Sequence, residues 1–329
     1  MKNIGIVYGG YSSEIVVSRK SAKGIKSFLD TERYRIFPLL ITRGKWVVTL
    51  EDREIPVDKN DFTFEVDGVK TSFDCLYITI HGTPGEDGLL QGYLQMLGVP
   101  HTTCDVLPSA LTFDKFTCNT YLKSFGVAVA DSLLLRQGRE YNLEDIKEKA
   151  GLPCFVKPNA GGSSFGITKV KTPEELQPAI EKAFEESDQA LVESFMEGTE
   201  VTCGIYKTRE KEVVMPLTEV ISKNEFFDYE AKYNADKATE ITPARISSEL
   251  TEKIQKITSL IYDILNCKGI ARMDYIITKE KIFLLEVNTT PGMTPTSFIP
   301  QQVEALGMTM KEALTDVIED AIERHKNRP

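Results

Sequence analysis

The stretch from Met1 to His81 restricts the fold more than any other. Asn3 to Tyr8 is a short apolar run that stops at Gly9-Gly10 and leads into a helical pattern. Ala22, Ile25, Phe28 and Leu29 keep helical spacing there, and Ser18 is the expected cap. Arg35 to Thr42 and Phe73 to Ile80 read as further strands, the second ending at His81-Gly82. Trp46 to Val69 reads as hairpin or edge material, with Asp67-Gly68 as a turn. Strands alternating with helices imply an α/β fold whose amino-terminal domain is a mainly parallel, doubly wound sheet. Ligands of such sheets gather beyond the carboxyl ends of the strands, where Gly9-Gly10 and His81-Gly82 lie.

A second unit begins near Cys104. Ser109 to Phe125 is helical, Leu133 to Arg136 extended, and Asn142 to Ala150 helical. Strands Cys154 to Lys157 and Ile167 to Val170 flank a glycine-rich loop, followed by a helix (Pro173 to Glu186) and a strand (Ala190 to Glu193). Beyond Val201 the chain is strand-rich. Asn224 to Ala238 is polar and aromatic without periodicity, and loops of that length in compact proteins are usually functional or disordered. Glu249 to Leu265 and Thr309 to Arg324 close the chain as helices.

Composition removes several classes of function. A net charge of -10 over 329 residues leaves no broad footprint for nucleic acid or an anionic membrane, so an anionic ligand must be held by local cations. Six scattered cysteines without a CxxC pair suggest unpaired thiols in a reducing compartment. Three histidines are too few for a histidine-rich metal site. No cleavable leader and no apolar run of membrane-spanning length is visible, so a cytoplasmic enzyme is expected.

The chemistry concentrates in Gly269 to Ser297. Ile270 to Thr278 and Ile282 to Asn288 read as a hairpin around Lys279-Glu280-Lys281. If Thr278 pairs with Ile282, Asp274 falls opposite Glu286 and Arg272 opposite Asn288, with each strand's pair on one face. Opposed carboxylates destabilise a hairpin unless something neutralises them, and oxygen ligands suit magnesium. Spacing alone fits a solvated acidic face equally well. The loop Asn159-Ala160-Gly161-Gly162-Ser163-Ser164-Phe165-Gly166 lies between strands and lacks the Gly-Lys-Ser/Thr of a Walker loop. Its glycines and serines suit a flap over phosphates, more than a plain turn requires, and Lys157 precedes it as a phosphate cation. Glu14, in the first glycine turn, would repel a pyrophosphate and suits an amino group. In His81 to Gly88, Glu86 and Asp87 have a mainly structural role as caps of the helix from Leu89 to Leu97. Glu193 to Glu200 can face a purine edge and a ribose, or simply connect two units.

In order, GGYSSEIVVS, HGTPGEDG, LQGYLQMLGVP, SALTFDK, FVKPNAGGSSFG, DYEAKY, ARMDY and EVNTTPGMTPTSF resemble the D-alanine–D-alanine ligases of the ATP-grasp superfamily. The resemblance implies three α/β domains: 1–103 for substrate, 104–194 with the phosphate loop, and 195–329 with the metal site and a mobile loop. It implies ATP as the nucleotide, two magnesium or manganese ions, D-alanine as substrate, a homodimer, and a part in making peptidoglycan precursors. The family mechanism has the carboxylate of one D-alanine attack the γ-phosphate of ATP, after which the amine of a second displaces phosphate from the acyl phosphate.

By position, Asp274, Glu286 and Asn288 would bind the metals. Lys115 and Lys157 would hold the α- and β-phosphates, Lys232 the γ-phosphate, and Ser163 and Ser164 the phosphate flap. Glu193, Phe195, Met196 and Glu200 would line the adenosine pocket. Glu14 would take the first ammonium, linked through Ser163 and Tyr233 to the loop, with His81 nearby and Val17 against the methyl group. Arg272 and the amide of Gly292 would stabilise the oxyanion, and Ser297 and the amide of Phe298 would hold the second carboxylate.

Three departures from the family pattern stand out. Ala160-Gly161 replaces residues that are often charged, Pro295-Thr296 replaces a common Ser-His, and Phe298 replaces a leucine. The last two bear on the second subsite. The rival readings are a D-alanine–D-lactate or D-alanine–D-serine ligase of the same fold, a catalytically silent nucleotide-binding regulator, and a nicotinamide dehydrogenase. DYEAKY favours the dipeptide product, and the missing Gly-x-Gly-x-x-Gly counts against the dehydrogenase.

Overall fold

The computed structural model describes residues 1–51, 53–162, 165–222 and 238–327, which build three sheets. The first contains β1 (Lys2–Gly9), β2 (Tyr34–Ile41), β3 (Trp46–Leu50), β4 (Arg53–Asp58), β5 (Thr63–Val66), β6 (Val69–Thr71) and β7 (Cys75–Ile78), in the order β6-β5-β4-β3-β2-β1-β7. Only β2-β1-β7 run parallel, while β3 to β6 form an antiparallel meander. The expected mainly parallel sheet is thus confined to the part that lines the site. Short links explain the rest: Asp67-Gly68, at φ of 50° and 79°, returns the chain antiparallel at once. Both faces of the sheet are covered, as in a doubly wound domain. Helix Ile15–Phe28 and the closing helix Met310–Lys326 bury one face, and helix Leu89–Met96 buries the other.

Ser18 is not a cap. The helix starts at Ile15, and the Ser18 hydroxyl accepts from the Gly9 amide at 2.9 Å and donates to the Thr79 carbonyl at 2.7 Å. It satisfies backbone groups left open where β1 and β7 end, and so fixes the two loops relative to each other.

The second sheet, β8 (Ser132–Arg136), β9 (Cys154–Pro158), β10 (Thr168–Val170) and β11 (Gln189–Ser194), runs β10-β9-β11-β8, antiparallel throughout. Ile146, Leu176, Ile180 and Ala183 of its two helices close the core. The single helix expected over Ser109 to Phe125 is two, Val106–Phe113 and Lys115–Lys123, parted by an extended Asp114. The break pairs with the glycine loop. The amides of Lys115 and Phe116 donate to the Asn159 carbonyl and Oδ1 at 3.1 and 2.8 Å, and Asp114 caps the second helix at Thr117.

The third sheet holds β12 (Thr199–Lys207), β13 (Glu212–Val214), β14 (Thr218–Ser222), β15 (Ala238–Ile241), β16 (Ala271–Ile277) and β17 (Ile282–Asn288), in the order β15-β14-β12-β16-β17 with β13 on β12. Helix Ser248–Ile264 covers it through Ile254, Ile261 and Tyr262. The closing helix, last in sequence, packs back on the first sheet, where Tyr34 donates to Glu319 at 2.8 Å. All six cysteines are unpaired and buried. Among the described residues, no helix is long and apolar enough to cross a membrane.

Candidate active site

The hairpin β16–β17 places Asp274 opposite Glu286 and Arg272 opposite Asn288. The expected pairing of Thr278 with Ile282 is incorrect: Ile277 pairs with Ile282, and a bulge after Asp274 leaves Leu285 without an opposite residue. The bulge restores the register on the functional side of the hairpin. Protein cations offset the two carboxylates. Arg272 grips Asp274 through Nε and Nη2 at 2.7 and 2.8 Å, Thr202 donates to it at 2.6 Å, and the Lys115 ammonium stands 4.0 Å from Glu286. Asn288 Nδ2 lies 3.1 Å from Asp274 and 3.4 Å from Glu286. Turning that amide by half a rotation gives an all-oxygen donor set, which fits a hard divalent cation.

A cavity of about 510 Å³ lies between the second and third sheets and is lined by Lys115, Lys157, Glu193, Phe195, Met196 and Glu200, with Asp274 and Glu286 at one end. Lys157 and Glu193 are both buried and paired at 2.5 Å. Phe155 and Phe195 make an aromatic wall at 6.0 Å, and the Lys169 ammonium sits 3.9 Å above the Phe195 ring. Such a slot suits a planar base with an anionic tail.

A second cavity, of about 880 Å³, lies between the first and third sheets. Glu14, Val17 and His81 line one side; Gly292, Ser297 and Phe298 line the other, with Glu86 and Arg272 also facing in. Gly162 lies so close to Glu14 that a Cβ there would meet the carboxylate at 2.7 Å and displace it. Ser21 shares a hydrogen bond with His81 Nε2 at 3.2 Å and accepts from the Met293 amide at 3.3 Å, tying one side to the other. Burial, with the Arg272 charge, lowers the His81 pKa to about 4, so the ring is neutral at pH 7.

The two cavities meet at Lys115, Gly161, Gly162, Arg272, Glu286 and Phe298. Of the expected site residues, Lys115, Arg272, Glu286 and Phe298 stand at this junction, and the other described ones line one cavity or the other. Ser163, Ser164, Lys232, Tyr233 and most of the Asn224 to Ala238 stretch lie outside the described residues.

The segment from Thr294 to Phe298 also shows how one departure, Phe298, is accommodated. Ser297 precedes helix Phe298–Ala305 but does not cap it with its side chain. Its hydroxyl turns back to the Thr294 amide at 3.0 Å, so the first turn of the helix can receive a carboxylate. Phe298 packs its ring 5.3 Å from the Arg272 guanidinium, a contact an aliphatic side chain cannot make.

Glu86 is not a cap, and Gly88 precedes helix Leu89–Met96 without a side-chain cap bond. Asp87 does accept from the Leu89 amide at 3.1 Å, but Glu86 accepts from the Gly82 amide at 2.6 Å and faces Glu14 across the cavity. Burial and the neighbouring Glu14 carboxylate hold its carboxyl well above the usual range. A raised folded-state pKa contributes stability that is complete below the ordinary carboxylate value and is lost as pH rises through the raised one. Glu86→Gln is expected to flatten the loss of stability in urea melts between about pH 5 and pH 8; an unchanged slope would assign that loss to another group.

Thr202 gave no sequence signal. It reaches Asp274 from β12, and only the sheet register brings the two together.

Comparison with known proteins agrees with the geometry. Residues 3–104 match the family described as D-ala D-ala ligase N-terminus, and residues 121–319 match D-ala D-ala ligase C-terminus. The chain belongs to the D-alanine–D-alanine ligase family. A D-alanine–D-alanine ligase of Phocaeicola vulgatus is 60% identical over 321 residues, which cover 97% of this chain and 99% of the relative. Among solved structures, the VanG D-Ala:D-Ser ligase of Enterococcus faecalis superposes with a TM-score of 0.86 at 32% identity, covering 97% of this chain and 99% of that one. A D-alanine–D-alanine ligase of Bacillus anthracis complexed with ATP gives 0.78 at 27% identity, covering 99% of both chains. The family's ATP-grasp fold is the three-sheet α/β arrangement described above.

Proposed function

We propose that the protein uses ATP to join two molecules of D-alanine into D-alanyl-D-alanine, a precursor for peptidoglycan. The observation that carries this reading is the junction of the two cavities at Lys115, Arg272 and Glu286, where a terminal phosphate and a substrate carboxylate can meet. Glu14 receives the ammonium of the first D-alanine, Val17 packs on its methyl group, and neutral His81 lies beside it. Phe195, Met196, Glu193 and Glu200 hold the adenosine, and Lys115 and Lys157 the α- and β-phosphates, with Lys232 and the serines of the loop completing the set.

Asp274, Glu286 and Asn288 would hold magnesium or manganese, two ions in the family, which neutralise phosphate charge when bound. Arg272 spends two of its five donors on Asp274, and its guanidinium together with the Gly292 amide faces the oxyanion of the tetrahedral intermediate. Ser297 and the Phe298 amide hold the second carboxylate and direct its amine at the acyl phosphate.

D-alanine is favoured over D-lactate or D-serine as second substrate. The D-alanine–D-alanine ligase of P. vulgatus is 60% identical, against 32% for the D-Ala:D-Ser ligase. The deciding experiment couples ADP formation to D-alanine and analyses the product with D-alanine, D-lactate and D-serine as acceptors. D-lactate preferred at neutral pH would overturn the reading.

The cytoplasm is the proposed compartment, supported by the six free cysteines. A homodimer is the proposed assembly, supported by exposed Leu89, Met96 and Leu107 on neighbouring helices. Sedimentation velocity should show two copies, and Leu107→Glu should give one.

A further inference from the structure

We propose that Gln301 and Glu240 are positioning residues that brace the turn of the second-substrate subsite. The turn Thr294 to Ser297 carries the departure Pro295-Thr296 and presents the Ser297 hydroxyl to the cavity. Within the turn, Ser297 donates its amide to the Thr294 carbonyl at 2.9 Å, and the two hydroxyls lie 2.8 Å apart. These bonds hold the turn's shape, and Ser21 and Gly24 of helix Ile15–Phe28 hold its start at Met293 and Thr294, but neither anchors the Thr296 end.

Gln301, one turn into helix Phe298–Ala305, supplies that anchor. Its Nε2 donates to the Thr296 carbonyl at 2.8 Å and to Glu240 Oε2 at 2.6 Å. A side-chain amide has two N–H groups, and each here goes to a different element. Glu240 lies on β15, opposite Val220 of β14, and lines the same cavity as Ser297 and Arg272. The brace therefore joins the substrate turn to the third sheet, at the strand that follows residues 223–237. A carboxylate accepting from Gln301 selects the amide orientation that also donates to Thr296, because the amide's own oxygen would repel it. Subsites must be held to within about half an ångström to act, and a two-residue brace of this kind provides that.

The inference rests on the ligase reading and deepens it. Its test is the D-alanine dependence of ADP formation at saturating ATP, fitted with separate KM values for the first and second D-alanine. Gln301→Ala and Glu240→Ala are expected to raise the second KM about 5- to 10-fold, as loss of one or two hydrogen bonds would, and to leave the first KM and that for ATP within about twofold. Glu240→Gln should recover most of the loss, because its carbonyl can accept the same N–H. An unchanged second KM, an equal rise in both, or Glu240→Gln behaving like Glu240→Ala would overturn the brace. Failure of the ligase reading would look different: wild-type protein forming no ADP on addition of D-alanine, which would remove this inference with it.

Discussion

Glu286→Gln is expected to lower D-alanine-dependent ADP formation at least about a hundredfold, with the melting temperature near that of the wild type. Glu286 is partly exposed, and its pair with Lys115, at 4.0 Å, is long and contributes little to stability. Its loss removes a charged oxygen ligand from the point where the two cavities join. Asp274→Asn should abolish turnover too, but with a cost to the fold. Asp274 is 8% exposed and receives two bonds from Arg272 and one from Thr202. Neutralising one partner of a buried pair leaves the other uncompensated, which costs about 3–5 kcal/mol. Glu286→Gln is therefore the cleaner probe. Near wild-type rates at ordinary magnesium would refute the metal assignment, whereas a rate restored by raising magnesium or manganese would support it.

What could be read in advance, and what could not, follows from the range of the interactions. The opposition of Asp274 and Glu286 was legible because both sit in one hairpin. The residue that offsets the turn was not: Phe283, Leu284 and Leu285 are all apolar, so no alternation marks which of them bulges. That a loop joins β9 to β10 was legible from composition, since so many glycines and serines together do not continue a strand. Its partner, the break at Asp114, was hidden inside an unbroken helical pattern, because the backbone of Asn159 and Ala160 makes the break. The first sheet was over-read as parallel because strand patterns carry no direction; the short links of β3 to β6 decide it. Thr202, Glu240 and Gln301 are single polar residues in ordinary segments, and each acquires a partner only once distant strands are in register.

Gly24 is a case of the same kind, and the second large effect is expected there. It occupies the middle of helix Ile15–Phe28, where alanine would ordinarily be favoured by about 1 kcal/mol. A Cβ at this position would lie 2.1 Å from the Met293 carbonyl oxygen and 3.2 Å from Thr294 Cα. Both are backbone atoms of the turn that carries Gly292 and Ser297, and Met293 is itself buried, so neither can give way alone. The helix and the turn must separate, and overpacking of this sort costs about 1–3 kcal/mol. Glu14 and Val17 lie on or next to that helix, and Ser21 connects it to His81. Gly24→Ala should therefore raise the KM for both D-alanines, by about tenfold or more, where the Gln301 and Glu240 variants move only the second. ATP binding should be unaffected, because the helix takes no part in the nucleotide cavity. A raised melting temperature with wild-type D-alanine saturation would mean that helix propensity outweighs the contact. The distance between the ammonium and carboxylate ends of the substrate cavity would then be set elsewhere than by the helix resting on the turn.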